Sequence, residues 1–82
     1  MNKEEIRNKL AEMIESNLGI PADTVHGESK LMEDLGASSF DIMMLLPMIE
    51  EAFDIEFSVR ALRDMITVDD IADYILQQYQ LS

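Results

Sequence analysis

Leu35-Gly36-Ala37-Ser38-Ser39-Phe40-Asp41 opens the most apolar helical pattern in this 82-residue sequence, and its reading decides the fold. Ser38, with Asp41 three residues on, is a capping-box start in which each side chain accepts from the other's backbone N–H. Ile42, Leu45, Leu46, Ile49 and Phe53 then recur at helical spacing and mark a core face. The other side of the same helix carries Phe40, Met43, Met44, Pro47, Met48 and Glu51. A helix apolar on nearly all sides is either fully buried or presents an apolar face to something else. A chain this short buries only about 60% of its unfolded surface, so full burial is hard to arrange. Ser38 and Ser39 both stand at the helix start, where free N–H groups and the positive end of the helix dipole favour an attached anion.

Upstream, Asn2 caps a first helix with Glu5 as its box partner, and Ile6, Leu10, Met13, Ile14 and Leu18 form one stripe. Gly19 ends that helix and Ile20-Pro21 prevents its resumption. From Pro21 to Ala37 no period is sustained, and Val25, Leu31 and Leu35 are spaced like anchors that pin a loop to a core. A connection of this length is uncommon in a compact domain and is usually functional or poorly ordered. Here it delivers the chain to the two serines. Downstream, Pro47 removes one helical hydrogen bond at a cost of roughly 3 kcal/mol or more, which predicts a kink or a break near Leu46. Ser58 caps a short turn through Val59, Leu62 and Met65, and Thr67 with Asp70 opens a last helix striped by Val68, Ile71, Ile75 and Tyr79. No stretch shows the alternation of a strand. The expected fold is all-α: a single domain over 1–82, three main helices plus one short helix, with a long loop between the first two main helices.

The net charge of −11 argues against nucleic acid, which requires the opposite sign, and disfavours anionic lipid. Such a surface steers basic proteins toward itself. Residues 31–59 contain no Lys or Arg but seven acids: Glu33, Asp34, Asp41, Glu50, Glu51, Asp54 and Glu56. With no cysteine there is no disulfide, thiolate zinc site or nucleophilic thiol. No apolar run reaches membrane-spanning length and the polar N-terminus is not a secretory signal, so a soluble, cytoplasmic monomer is expected. His26, the only histidine, is a loop residue with no catalytic role. Asp54-Ile55-Glu56-Phe57-Ser58 imitates a calcium loop but has Val59 and Met65 where glycine and glutamate are needed, so no metal site is expected. No two groups suggest an acid–base or nucleophile–base pair, and an enzyme acting alone is the least favoured reading.

The serine segment resembles the modification site of acyl carrier proteins, Leu-Gly-Ala-Asp-Ser-Leu-Asp, and the resemblance extends over nearly the whole chain. Glu33-Asp34-Leu35-Gly36-Ala37 is similar to the family's approach to its serine. Ile49-Glu50-Glu51-Ala52-Phe53-Asp54-Ile55-Glu56 is similar to the end of its second helix, and Thr67-Val68 with Tyr74-Ile75 to its last. The resemblance implies that Ser39, rather than Ser38, carries covalent 4′-phosphopantetheine, placed there from coenzyme A by a phosphopantetheinyl transferase. The arm's thiol would hold an acyl group as a thioester. The protein would present it to acyl- or aminoacyl-loading and condensing enzymes whose basic patches dock on the second helix, for fatty-acid-like or polyketide synthesis.

The sequence departs from the family pattern at four places. Ser38 stands where aspartate is usual and keeps the cap without the charge, while Phe40 replaces a leucine. Met44 occupies a position commonly acidic in fatty-acid carriers, and Pro47 is unusual inside the helix. These changes suggest a specialised, freestanding carrier with no catalysis of its own. Its expected partner surface is Ser38, Phe40, Asp41, Met43, Met44, Pro47, Glu50 and Glu51. An aminoacyl or peptidyl carrier, including the D-alanyl type, is the near alternative, although Gly36-Ala37 tilts the chain toward the acyl type. An unmodified acidic helical module that binds a basic partner is the alternative from a different class.

Overall fold

The computed structural model describes residues 1–81 and forms an all-α bundle. In chain order it contains α1 (Lys3–Leu18), a short 3₁₀ turn (Ala22–Thr24), α2 (Ser39–Phe53), α3 (Val59–Arg63) and α4 (Val68–Leu81). The three long helices begin where their capping boxes predict. The Asn2 side chain accepts from Glu5 N–H at 2.8 Å, and Ser38 and Asp41 exchange hydrogen bonds at 3.0 and 3.1 Å. At α4 the Thr67 hydroxyl accepts from Asp70 N–H at 3.1 Å, while the Asp70 carboxylate accepts from Thr67 N–H at 2.8 Å. The same carboxylate takes Ile66 N–H at 2.9 Å, so one side chain fixes both the helix start and the chain that enters it.

One core joins the helices. Ile6, Leu10 and Ile14 of α1, Leu45, Ile49 and Phe53 of α2, and Val68, Ile71 and Ile75 of α4 are buried together, as their stripes predict. Ala11 and Ala72 complete it. Their small side chains let neighbouring backbones approach, and α1 packs against both α2 and α4. Ile42 and Leu46 are half-buried at its edge. Burial of each large apolar side chain stabilises by about 1.5–3 kcal/mol. The break expected at Leu46 does not occur, because α2 runs continuously through Pro47. Pro47 lies on the exposed side of the helix, so water can serve the Met43 carbonyl that loses its N–H partner.

The loop from Pro21 to Ser38 is ordered by backbone pairing with the start of α4. Gly27 carbonyl accepts from Asp69 N–H at 2.8 Å, Ser29 carbonyl from Val68 N–H at 3.1 Å, and Ile66 carbonyl from Leu31 N–H at 2.9 Å. An isolated antiparallel bridge between Lys30 and Thr67 sits among these bonds, and no strand occurs among the described residues. Val25, Leu31 and Leu35 anchor the loop to the core as their spacing predicts. Gly27 is needed for a close approach, since a Cβ there would lie 2.6 Å from Asp69 Oδ1. That carboxylate is held in place by Arg7 Nε at 3.2 Å and Lys3 Nζ at 3.7 Å. Asp73 lies 2.9 Å from Lys3 Nζ, and its hydrogen bond raises the lysine pKa above the ordinary value.

The weakest element is α3. None of its five residues is buried, and Val59 and Leu62 are exposed. The Ser58 hydroxyl caps it by accepting from Ala61 N–H at 3.0 Å. The loop before it is tied by Glu50, whose carboxylate accepts from Phe57 N–H at 2.8 Å. The Tyr74 hydroxyl donates to the Glu56 carbonyl at 2.8 Å, and its ring lies 5.1 Å from that of Phe57. At the end of α2 the Tyr79 hydroxyl donates to the Phe53 carbonyl at 2.8 Å.

Two stability predictions follow from the loop and its anchor. Gly27→Ala forces Asp69 away from Arg7 and Lys3 and is expected to lower unfolding free energy by about 1–3 kcal/mol in a urea titration followed by circular dichroism. Burial alone would raise the Asp70 pKa, but the N–H groups of Thr67 and Ile66 and the Thr67 hydroxyl outweigh it and hold the carboxyl below its ordinary value. A carboxylate depressed in the folded state stabilises above its unfolded pKa, and that stabilisation is lost as pH falls through the folded value. Asp70→Asn should therefore cost about 1 kcal/mol at neutral pH, and the gap to the parent protein should close in acid.

Candidate functional site

Ser38 and Ser39 are adjacent in sequence, yet the start of α2 gives them different roles. Ser38 is the N-cap, and its hydroxyl accepts from Asp41 N–H. Ser39 is the first helical residue and is exposed to solvent. The first turn bond runs from Ile42 N–H to the Ser38 carbonyl, so Ser39 N–H and Phe40 N–H meet no protein acceptor among the described residues. These two donors and the helix dipole make the surroundings of the Ser39 hydroxyl favourable to a phosphate ester. The chain has no cysteine, so a thiol at this place would have to come from an attached group.

The approach to the serines is rigidly connected to the core. Ala37 is buried and its N–H donates to the Leu31 carbonyl at 3.0 Å. Leu31 N–H in turn donates to Ile66 at the entry to α4. Gly36, with φ of +73°, supplies the left-handed turn that brings the chain from the loop into Ala37 and the cap. The position of Ser39 is thus set by α4 through Leu31 and Ala37, a dependence that no local pattern announces.

The residues expected to face partners fall into two groups. Phe40 (68% exposed), Met43 (70%), Met44 (55%) and Met48 (42%) project from α2 together with Pro47, Glu51 and Ser39. Asp41 and Glu50 are half-buried and already engaged, Asp41 with Ser38 N–H and Glu50 with Phe57 N–H. An open groove of about 230 Å³ lies beside this face, lined by Met43, Leu46, Pro47, Glu50, Phe57 and Leu62. A larger opening, about 830 Å³, lies at the far end of α2 and is mostly carboxylate-lined, by Glu50, Glu51, Asp54 and Glu56. Among the described residues no group of three or more His, Cys, Asp or Glu side chains is arranged to hold a metal ion. No helix among them is long and apolar enough to cross a membrane.

Comparison with known proteins agrees with this geometry. The family model described as the phosphopantetheine attachment site matches residues 8–75. The acyl carrier protein of Chlorobium luteolum is 35% identical over 95% of this chain and 100% of its own length. That of a Campylobacter jejuni strain is 40% identical over 77% of this chain and 82% of its own. A solved structure of the acyl carrier protein from Enterococcus faecalis superposes with a TM-score of 0.76 at 31% identity, covering 94% of this chain and 98% of that one. With the family model spanning most of the helical bundle and relatives matched over most of their length, this chain belongs to the acyl carrier protein family, which bears the phosphopantetheine attachment site.

Proposed function

We propose that residues 1–82 act as one carrier domain in which Ser39 is the attachment residue. As a member of its family, the chain is a carrier of acyl intermediates, with covalently attached 4′-phosphopantetheine as its cofactor. The observation that supports Ser39 is its exposed position as the first residue of α2, beside two N–H groups without protein acceptors. The neighbouring Ser38 hydroxyl is occupied by the cap, which favours Ser39 between the two. When attached, the group supplies the thiol that the polypeptide lacks. Ser39 needs no local base for this role, because the chemistry of attachment belongs to the transferase.

Acyl carrier proteins work with phosphopantetheinyl transferases and biosynthetic enzymes. For this chain we assign loading and condensing enzymes of fatty-acid-like or polyketide synthesis, with basic patches that answer its net charge of −11. It acts without catalysis of its own, as a monomer in a reducing cytoplasm; the lack of cysteine suits that compartment.

Intact mass after incubation with coenzyme A and a broad-specificity phosphopantetheinyl transferase tests the assignment. The parent chain and Ser38→Ala are expected to gain one phosphopantetheine, and Ser39→Ala none. A gain that survives Ser39→Ala would move the site. No gain, even with transferases from the native source, would favour an unmodified acidic module that binds a basic partner. Aminoacyl instead of acyl cargo on the modified chain would favour the aminoacyl or peptidyl carrier reading.

A further inference from the structure

The buried core of the described residues is built from Ile, Leu, Val, Ala and Phe, and none of the chain's seven methionines enters it. Met13 and Met65 are half-buried against that core, while Met1, Met32, Met43, Met44 and Met48 are exposed. Three of those five lie on α2, whose buried face is carried by Leu45, Ile49 and Phe53, side chains without sulfur. Helical spacing puts Met43 one turn from Ser39 on the same strip, and Met44 one turn from Met48 on the next. The chain has no cysteine that would take up an oxidant first.

We propose that Met43, Met44 and Met48 form a reversible oxidation site for hydroperoxides, which switches off attachment at Ser39 without unfolding the bundle. The step is a two-electron oxidation of sulfur. A thioether lone pair attacks the peroxide, the O–O bond breaks and an S–O bond forms. The second oxygen leaves as water, or as an alcohol from an alkyl hydroperoxide. Return requires methionine sulfoxide reductases for the two sulfoxide epimers, which release the oxygen as water while a dithiol is oxidised to a disulfide. Each sulfoxide replaces a flexible apolar group by a polar, chiral one, which in a core would disrupt packing. On the exposed side of α2 the packing of Leu45, Ile49 and Phe53 is untouched. What changes is the surface that an enzyme covers to reach the Ser39 hydroxyl, where a sulfoxide must be stripped of water. The regulation rests on Ser39 being the attachment residue; the oxidation does not.

The test treats the full-length unmodified chain with hydrogen peroxide, removes the oxidant with catalase and maps the sulfoxides by peptide mass. Thermal unfolding by circular dichroism and kcat/KM for phosphopantetheine transfer from coenzyme A are then measured. Met43, Met44 and Met48 are each expected to gain one oxygen about tenfold faster than Met13 and Met65, because exposure governs attack. The oxidised chain should keep a cooperative melt, lose about tenfold in kcat/KM, and recover it with reductases for both epimers and dithiothreitol. The variant Met43→Leu/Met44→Leu/Met48→Leu, which retains Met1 and Met32, should keep its own kcat/KM through the same treatment. Uniform oxidation of all the sulfurs, or loss of the cooperative melt, would overturn the proposal by showing damage through unfolding. So would an unchanged kcat/KM in the oxidised parent, or an equal loss in the triple variant, which would place the effect at Met1 or Met32. Absence of transfer to the untreated parent would overturn the switch together with the Ser39 reading, whereas failures confined to the oxidised chain leave that reading standing.

Discussion

The structure depends on the antiparallel pairing of residues 27–31 with residues 66–69. Three backbone hydrogen bonds, Asp69 to Gly27, Val68 to Ser29 and Leu31 to Ile66, fix a loop of irregular chain against the first turn of α4. Backbone groups in a buried or half-buried loop must be satisfied somewhere, and this pairing satisfies them without a sheet. Ser29 is the buried polar residue at its centre, and its hydroxyl accepts from His26 N–H at 3.0 Å. Among the described residues no buried side-chain nitrogen or oxygen lacks a partner. Without the pairing, the loop would be free to place Ser39 in many positions. With it, the serine inherits the rigidity of the core.

The same economy operates at the start of α2. A helix N-terminus leaves several N–H groups open, and a capping box closes some of them. Here Ser38 and Asp41 satisfy each other, while Ser39 and Phe40 keep their N–H groups available. Serine serves as well as aspartate for the cap itself, which explains why the departure from the family pattern at Ser38 leaves the helix start intact. Pro47 is tolerated on similar grounds. It removes a hydrogen bond on the solvent side of α2, whereas Leu45 and Ile49 keep the core side continuous.

Net charge describes this protein poorly at short range. The sequence is strongly acidic between residues 31 and 59, yet four of those seven carboxylates have local work: Glu33 with Lys30 Nζ, Asp34 with Lys30 N–H, Asp41 in the cap and Glu50 at Phe57. Their charge still contributes to the long-range field that draws partners in. Contact at the serine is a different matter, since the neighbouring exposed side chains are aromatic and thioether.

The sequence by itself determined the helices, their caps and which face of each is buried. These properties are local: a capping box spans four residues, and a stripe at helical spacing is visible wherever it occurs. Ile6, Leu10 and Ile14, Leu45, Ile49 and Phe53, and Val68, Ile71 and Ile75 are all legible in that way. So is the serine at the head of α2, with its resemblance to a known attachment site. Only the tertiary structure decided that Gly27 lies against Asp69, that Leu31 links α4 to Ala37, and that the hydroxyls of Tyr74 and Tyr79 hold Glu56 and Phe53. Apart from the short Leu31–Ala37 link, these contacts join residues 18 to 42 positions apart in sequence with no period to betray them. It also decided that Glu50 is occupied while Glu51 is not, because identical carboxylates differ only in which N–H groups the fold brings to them.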